Sequence, residues 1–217
     1  METWAIVVAG GTGTRFGGPK QFAELDGRPL LSWSLQVARQ VCTGVVAVLP
    51  EAAGGGAASN GEGWDADVVV EGGPTRSASV RSGLAALPES AEVIVVHDAA
   101  RPLAPLALWE AVIAEVSSGA DGSIPVVPLN DTIRERTADG RSATVDRSRL
   151  VAVQTPQAFR AGILRRAHAG GDDATDDAAM VEAAGGRITL VDGSPTNLKV
   201  TSPADLLIAS ALGRGER

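Results

Sequence analysis

Apolar and β-branched side chains recur along this chain in short runs, and segments with helical periodicity separate them. The runs predict β-strands at 4–9, 44–50, 66–70, 92–98, 122–129 and 187–193. Several are apolar at consecutive positions, which is typical of strands covered on both faces. The intervening segments predict helices at 29–41, 77–87, 105–119, 175–186 and 202–213. This alternation predicts an α/β fold, namely a Rossmann-like, doubly wound, mainly parallel sheet with helices on both faces.

Two of the predicted helices carry start signals. Pro29 is expected in the first turn of the first helix, where the missing proline N–H costs nothing. At the last helix, Ser202 is expected to cap the N-terminus, with Pro203 at the first helical position. Asp205 would then place a negative charge in the first turn, where the helix dipole favours it.

Two segments interrupt the alternation of strands and helices. Residues 51–65 are small and flexible with no apolar period, which predicts an exposed or partly disordered loop. Residues 130–153 are polar and contain the turn signal Asp139-Gly140 between β-prone pieces, which predicts a hairpin. Because this hairpin has little apolar surface of its own, we expect a projecting arm that packs on a second copy of the chain. Residues 1–217 otherwise predict a single domain.

Charge and cysteine usage narrow the class of protein. The formal net charge is −7, from 19 Lys and Arg against 26 Asp and Glu, which disfavours nucleic acid as a partner. Cys42 is the single cysteine, so no disulfide can form within the chain, and we expect an inert thiol in the core. The sequence shows no leader peptide and no stretch of about 20 apolar residues. We therefore expect a cytoplasmic protein that does not enter membranes.

The most informative stretch is AGGTGTRFGGPKQF at 9–22, directly after the first predicted strand. Backbone N–H groups in a glycine turn, with Arg15 and Lys20 close by, predict an anion site, most simply for phosphate. A dinucleotide-binding fingerprint fails because Phe16 stands where its third glycine is required. A nucleoside-triphosphatase loop fails because Lys20 lies between Pro19 and Gln21. A tight turn with a purely structural role remains the alternative.

Three further stretches add candidate polar groups. In VHDAARP (96–102), Asp98 could bind Mg²⁺ and Arg101 a second anion, at the strand end where open α/β sheets bind ligands. The alternative is a local ion pair at a turn. In GGPTRSASV (72–80), Arg76 and Ser79 begin a predicted helix, where ordinary capping is the alternative. Lys199 in NLKVT and Thr155 in QTPQAF follow later strands, although a lone lysine is usually only solvated.

Taken together, these stretches resemble the 2-C-methyl-D-erythritol 4-phosphate cytidylyltransferase family. The resemblance rests on the glycine loop, GGPTRSASV, VHDAARP, TVDRSRL (144–150), AVQTPQAF (152–159), ATDDAAMVE (174–182) and NLKVT, which occur in the family's order across nearly the whole chain. Members transfer a cytidylyl group from CTP to the sugar-alcohol phosphate and release pyrophosphate, with Mg²⁺ present. The spacing between Arg15 and Pro19 is shorter than is usual in the family.

The resemblance also implies roles for particular residues. Arg15 and Lys20 would stabilise the α-phosphate of CTP in the transition state, and Arg147 and Lys199 would position the methylerythritol phosphate. Asp98 would lie near Mg²⁺ and the acceptor. The remaining substrate-binding residues would be Ala9, Gly10, Gly11, Thr12, Gly13, Gly73, Arg76, Ser79, Ala99, Arg101, Thr132 and Thr155.

The resemblance further implies a homodimer, because Thr132 and Arg147 fall on the predicted arm and would complete the active site of the partner. The nearest alternative is a ribitol-5-phosphate cytidylyltransferase, which performs the same reaction on a different acceptor. A nucleotide-binding regulatory module without turnover is a second alternative. A Rossmann dehydrogenase is a third, and the absent third glycine weighs against it.

Overall fold

A computed structural model describes residues 1–11, 16–18, 20–50, 63–171, 173–174 and 176–215. Thr12, Gly13 and Arg15 of the glycine loop therefore lie outside the described residues. The same holds for most of the predicted loop at 51–65, of which only residues 63–65 are described.

The strands are β1 (Thr3–Val8), β2 (Glu24–Leu25), β3 (Arg28–Pro29), β4 (Gly44–Leu49), β5 (Val68–Glu71), β6 (Val93–Asp98), β7 (Gly122–Pro128), β8 (Ile133–Arg136), β9 (Ser142–Val145), β10 (Val151–Val153), β11 (Gln157–Arg160) and β12 (Ile188–Asp192). The α-helices are α1 (Leu30–Val41), α2 (Arg76–Ala86), α3 (Leu106–Ser117), α4 (Ala161–His168), α5 (Asp177–Ala183) and α6 (Pro203–Gly215).

The main sheet has the order β10-β7-β11-β6-β1-β4-β5, with β12 paired to β7. Strand β1 runs parallel to both β4 and β6, β4 is parallel to β5, and β7 is parallel to β12. The chain first winds outward from β1 through β4 to β5, and then returns to form β6 on the other side of β1. This reversal confirms the predicted doubly wound, mainly parallel sheet.

Apolar side chains cover both faces of this sheet. On one face, Leu31 and Leu35 of α1 and Trp109 of α3 pack against strand residues such as Val7 and Val95. The opposite face is covered by α2, α4 and α5, through Val80, Leu84, Ile163, Leu164 and Val181. Because both faces are buried, β4 and β6 carry buried residues at every position, which explains their continuous apolar runs.

Strand β11 and helix α4 are not predicted by the sequence pattern. β11 inserts antiparallel between β6 and β7, where Phe159 is fully buried. Helix boundaries also differ from the expectations at two places. Pro29 lies in β3 and precedes α1 instead of occupying its first turn, and α5 covers only Asp177–Ala183 of the predicted 175–186.

The last helix begins as its sequence predicts. Pro203 is the first residue of α6, and the backbone N–H of Asp205 donates to Ser202 Oγ at 3.3 Å. Asp205 Oδ2 in turn accepts from the backbone N–H groups of Thr201 and Ser202, both at 2.8 Å. This reciprocal arrangement satisfies backbone donors that the first helical turn leaves unpaired.

The segment between β7 and β10 projects from the sheet as a two-stranded hairpin. β8 and β9 pair with each other and with no other described strand, in the register Ile133–Val145 to Arg136–Ser142. Nearly all residues from 130 to 150 are exposed. A hairpin is therefore present within the predicted range 130–153, but Val151–Val153 at the end of that range belong to the main sheet, where β10 pairs with β7.

Candidate active site

The candidate site lies where β1 and β6 end side by side. Val8 is paired with Asp98 at the carboxyl ends of these two strands. Beyond that point the sheet order reverses, because the chain continues from β1 toward β4 on one side and forms β6 on the other. In open α/β sheets, ligands bind in the crevice at such a reversal.

The glycines around the crevice serve two different purposes. A Cβ atom on Gly10 would come within 3.0 Å of Ser79 Oγ, and one on Gly72 within 2.9 Å of the same atom. A Cβ on Gly73 would collide with Ala78. These glycines thus allow the loops after β1 and β5 to close over the start of α2. For Gly11, no atom of the described residues lies within 4 Å of its Cβ position, and Gly11 lines the larger of the two cavities described next.

Two adjoining cavities occupy the crevice. The larger has a volume of about 420 Å³ and the smaller of about 310 Å³. The larger is lined by Val8, Ala9, Gly10, Gly11, Lys20, Gln21, Gly73, Pro74, Thr75, Arg76, Ser79, Asp98, Ala99, Ala100 and Lys199. The smaller is lined by Arg76, Asp98, Arg101, Val153, Gln154, Thr155, Gln157, Asp176 and Lys199.

A row of three charged side chains forms the wall that the two cavities share. Arg76 Nε donates to Asp98 Oδ1 at 3.0 Å, and Lys199 Nζ donates to Asp98 Oδ2 at 2.7 Å. The Asp98 side chain is only 11% exposed, whereas Lys199 is 41% exposed. Asp98 thus holds two cations in place, and Lys199 still presents its ammonium group to both cavities. The three residues come from α2, the end of β6 and the segment before α6.

The charges in this row stabilise one another. Burial alone would raise the pKa of Asp98, but the positive charges of Arg76 and Lys199 outweigh it and hold that pKa well below its usual range. Burial would likewise lower the pKa of Arg76, yet Asp98 and Asp177 raise it. Asp98 and Arg76 are therefore both ionised near neutral pH.

Lys20 and Arg101 extend the positive charge along the crevice. Lys20 Nζ donates to the carbonyl oxygen of Val200 at 2.9 Å and lines the larger cavity. Arg101 donates to the carbonyl of Asn197 at 2.7 Å and to that of Val153 at 3.3 Å, and it lines the smaller cavity. Segments distant in sequence thus bring four cationic side chains to one crevice, a setting that favours anionic ligands.

Thr155 and His97 support the floor beneath Asp98. Thr155 Oγ1 accepts from the backbone N–H of Asp98 at 3.1 Å and lies 3.2 Å from His97 Nδ1. His97 is fully buried against Trp109, with a ring-centroid separation of 4.7 Å, and its Nε2 lies 3.2 Å from the Arg101 carbonyl. Burial lowers the pKa of His97 to about 3, so the ring is neutral and braces the turn that carries Asp98 and Arg101.

The arm residues Arg147 and Thr132 are not among those that line this crevice. Both are exposed, and Arg147 donates to the carbonyls of Leu129 at 2.9 Å and Asp131 at 3.2 Å within its own segment. Arg147 lines a separate cavity of about 530 Å³ at the base of the arm. The other predicted substrate-binding residues that the structure describes, apart from Thr132, do line the crevice.

Several polar residues around the crevice did not stand out in the sequence. Gln21 lines the larger cavity and is 3% exposed, and its Nε2 has no partner among the described residues. Gln154 cross-links the floor of the smaller cavity, because its Oε1 accepts from Ser194 N and Asn197 Nδ2, both at 3.1 Å. The sequence offered one indication of these residues, because Gln21 lies in PKQF of the glycine loop and Gln154 lies in QTPQAF.

Thr75 and Ser79, the two hydroxyl residues near the start of α2, have different roles. Thr75, not Ser79, caps α2, since Thr75 Oγ1 accepts from Ala78 N at 3.1 Å. Ser79 Oγ donates to the Thr75 carbonyl at 3.0 Å and is 2% exposed, where it supports the glycine loops. Arg76 points into the crevice and carries the charge.

Two negative findings concern the described residues. None of the helices in the described ranges is long and apolar enough to cross a bilayer. The same residues contain no group of three or more His, Cys, Asp or Glu side chains that could hold a metal ion by themselves.

Comparison with known proteins points in the same direction as the geometry. The sequence model of the IspD family, described as 2-C-methyl-D-erythritol 4-phosphate cytidylyltransferase, matches residues 3–214. The enzyme of that name from Rubrobacter xylanophilus is 46% identical over 96% of this chain and 93% of its own length. The one from Frankia casuarinae is 47% identical over 96% of this chain and 80% of its own length.

A solved structure shows that the similarity extends to the fold. The crystal structure of 2-C-methyl-D-erythritol 4-phosphate cytidylyltransferase from Thermus thermophilus superposes with a TM-score of 0.83 at 37% identity. The match covers 99% of this chain and all of that one. Together with the cationic crevice at the reversal of the sheet, these matches show that the chain belongs to the IspD family of 2-C-methyl-D-erythritol 4-phosphate cytidylyltransferases.

Proposed function

We propose that this protein transfers the cytidylyl group of CTP to 2-C-methyl-D-erythritol 4-phosphate. An oxygen of the acceptor phosphate attacks the α-phosphorus of CTP, the bond from that phosphorus to the β-phosphate bridge breaks, and pyrophosphate leaves. The observation that carries this proposal is the Arg76–Asp98–Lys199 row, because it is shared by two adjoining cavities. Two substrates bound on either side of this row would bring their phosphates together.

The larger cavity is suited to CTP. Gly10 and Gly11 offer backbone N–H groups at the end of β1, and Lys20 lies on the same cavity wall. Lys20, together with Arg15 of the same loop, would stabilise the charge that develops on the α-phosphate. The smaller cavity, lined by Arg101 and Thr155, is suited to the polyol phosphate.

The proposed reaction requires no general base. A phosphate monoester has its second pKa near 6, so the attacking oxygen is already anionic at neutral pH. The crevice accordingly supplies cations instead of a proton acceptor, and His97, which lies beneath Asp98, is buried and neutral. Catalysis would then rest on positioning and electrostatic stabilisation.

We infer that Mg²⁺ takes part in the reaction, with Asp98 as its one protein carboxylate. Mg²⁺ is commonly held by one or two carboxylates together with substrate phosphates, and Asp98 is a carboxylate that lines both cavities. When bound, the ion would neutralise phosphate charge. Chelation with EDTA should abolish turnover, and added Mg²⁺ should restore it; full activity after chelation would contradict this assignment.

The acceptor is tested by measuring CTP-dependent pyrophosphate release with 2-C-methyl-D-erythritol 4-phosphate, with ribitol 5-phosphate and with no acceptor. We expect the first to give the highest kcat/KM. Higher kcat/KM with ribitol 5-phosphate would favour the alternative cytidylyltransferase. CTP binding without pyrophosphate release from any acceptor would instead favour a regulatory module.

We further propose a homodimer in which the arm of one chain completes the crevice of the other. The β8–β9 hairpin is exposed and pairs with no other described strand, and an isolated two-stranded hairpin is marginally stable in water. At its base, Leu150, Val151 and Val153 are 38%, 44% and 38% exposed, which gives an apolar surface for a partner. Two-fold symmetry would build both sites at once.

Subunit complementation tests the composite site. Inactive Lys20→Ala and Arg147→Ala chains are mixed in equal amounts under conditions that allow subunit exchange. One site in each heterodimer would carry both defects and the other neither, so activity should approach about a quarter of that of the unmodified protein, as two-fold symmetry requires. If exchange is demonstrated by mass spectrometry and no activity returns, the two residues act within one chain.

A further inference from the structure

A buried histidine and a buried aspartate extend the charged row away from the cavities. Arg76 Nη1 donates to Asp177 Oδ2 at 2.7 Å, while His168 Nε2 lies 3.0 Å from Asp177 Oδ1. Asp177 is the first residue of α5, and His168 is the last residue of α4. The row therefore runs continuously from two helices of the outer layer to Lys199 at the cavity wall.

Asp177 and His168 are shielded from solvent, unlike Arg76 and Lys199. The side chains of His168 and Asp177 are 2% and 1% exposed, against 25% for Arg76. Burial favours the neutral carboxyl group, but the hydrogen bond from His168 and the charge of Arg76 keep the pKa of Asp177 below its usual value. The carboxylate is thus ionised and can only accept, so His168 Nε2 carries the proton and donates it.

The buried ion pair between Arg76 and Asp177 adds little to stability by itself. Desolvation of the two charges offsets most of their attraction, and apolar residues of similar volume often stabilise such a position as well or better. The chain nevertheless places Asp177 and His168 behind this arginine, which lines both cavities. The Asp177 carboxylate accepts from Nη1 of the Arg76 guanidinium, and the Asp98 carboxylate accepts from Nε. Because the guanidinium is planar and is held at two of its nitrogen atoms, these two contacts fix its orientation.

We propose that His168 and Asp177 are positioning residues, which fix Arg76 in the wall between the cavities so that Asp98 keeps its second oxygen for Lys199. Without the Asp177 carboxylate, Arg76 is free to turn both of its donor edges toward Asp98 or into the larger cavity. Either movement displaces Lys199 from its 2.7 Å contact and shifts the cations that face the phosphates. Neither residue lines a cavity, so their effect on the substrates is exerted through Arg76.

The proposal rests on the proposed function, and its test is a matched set of variants of the full-length chain. Asp177→Asn keeps the shape of the side chain and removes its charge. His168→Gln places an N–H near the former Nε2, whereas His168→Leu fills a similar volume without a donor. Glu182→Gln is the control, because Glu182 is an exposed acid on the same helix, α5.

We expect Asp177→Asn to lower kcat by about 10- to 100-fold, since small misplacements of catalytic groups have effects of this size. His168→Leu should lower kcat by about tenfold, and His168→Gln should stay within about threefold of the unmodified protein. The KM for CTP should change much less than kcat in all three, because the glycine loop is untouched. Glu182→Gln should match the unmodified protein.

Comparing kcat of His168→Leu with kcat of His168→Gln shows whether His168 positions Asp177 or only fills space in the core. If His168 only fills the core, the apolar Leu variant should work at least as well as the Gln variant, and that result at a retained Tm would overturn the proposal. If the Leu variant does not fold, Asp177→Asn decides, and an unchanged kcat would overturn the proposal. The unmodified protein is assayed first; if it lacks turnover, the proposed function has failed instead.

Discussion

The chain holds Arg76 and Arg147 in opposite ways, although both are predicted to take part in substrate binding. Arg76 is gripped by two carboxylates, Asp98 and Asp177, that come from β6 and α5. Arg147 is exposed and, among the described residues, donates only to carbonyl oxygens of its own segment, 16 and 18 residues away in the chain. Tertiary contacts between distant segments therefore fix the position of Arg76, whereas contacts within its own segment fix the position of Arg147.

This difference indicates which part of the site is complete in a single chain. The cavities at the end of β1 and β6 have walls, charges and a supporting layer, all supplied by one chain. Arg147 and Thr132 of the arm do not line these two cavities. If, as proposed, the arm completes the crevice of another copy, the two parts of the site should respond differently to mutation and to dilution.

The largest effect is expected from Lys20→Ala in the larger cavity. Removing a cation that acts on charge in the transition state should lower kcat by about 10²–10³-fold, with a smaller change in the KM for CTP. Arg15→Ala should lower kcat in the same way. The control is Arg28→Ala, an exposed cation nearby that lies over Trp33 and does not line either cavity. Steady-state kinetics would remove Lys20 from this role if turnover remained near normal.

A smaller effect is expected from the cations assigned to the acceptor. Arg147→Ala and Lys199→Ala should each raise the KM for the polyol phosphate by about 10- to 100-fold, because a buried or bridging charge pair with phosphate contributes about 1.5–3 kcal/mol. CTP affinity, measured by calorimetry, should stay almost unchanged in Arg147→Ala, and in Lys199→Ala it should change less than the acceptor KM, because Lys199 also lines the larger cavity. Arg149→Ala on the same exposed turn serves as a control for Arg147→Ala. Loss of CTP binding with a normal acceptor KM would reverse the assignment of the two cavities.

Hydrogen exchange compares the two regions without any mutation. Amides that bridge β8 and β9 should exchange several-fold faster when the protein is diluted through its dimer dissociation constant, because partner binding protects by mass action. Amides of β1 and β6 should not respond to dilution, since their ladder lies inside one chain. Arm exchange that is independent of concentration would contradict the dimer.

The smallest effect is expected at the anchor of the segment that carries Lys199. Asp205→Ala removes the acceptor for Thr201 and Ser202 and should cost about 1 kcal/mol, as for other helix caps. The hydrogen bond from Thr201 lowers the pKa of Asp205 to about 2. Because the folded pKa is depressed, this contribution is present above about pH 4 and is lost as the pH falls toward 2.

Urea unfolding of both proteins at pH 7 and at pH 2.5 measures the size of this contribution. The difference in free energy of unfolding between Asp205→Ala and the unmodified chain should shrink at the lower pH. A difference that stays constant would show that packing at the start of α6 carries the effect. Asp205→Asn is a matched control, since it keeps the size of the side chain and loses only the titration.

The sequence was sufficient for the sheet and for most of the crevice. Continuous apolar runs identified β1, β4 and β6, and the polar residues that follow them had to gather at one edge because parallel strands share their carboxyl ends. It was insufficient for β11. This strand has only four residues, which are too few to show a periodic pattern of apolar positions. Its antiparallel insertion depends on contacts with β6 and β7, which lie far away in the chain.

The local pattern by itself therefore determined most of the longer strands and helices and the β8–β9 hairpin, because each follows from neighbouring residues. Only the tertiary structure decided that Asp98 would join Arg76 to Lys199, and that Asp177 would meet Arg76 from 101 residues away. No local signal marks such contacts. They exist because the packed helices and strands bring charges to one buried place, where each charge must find a partner.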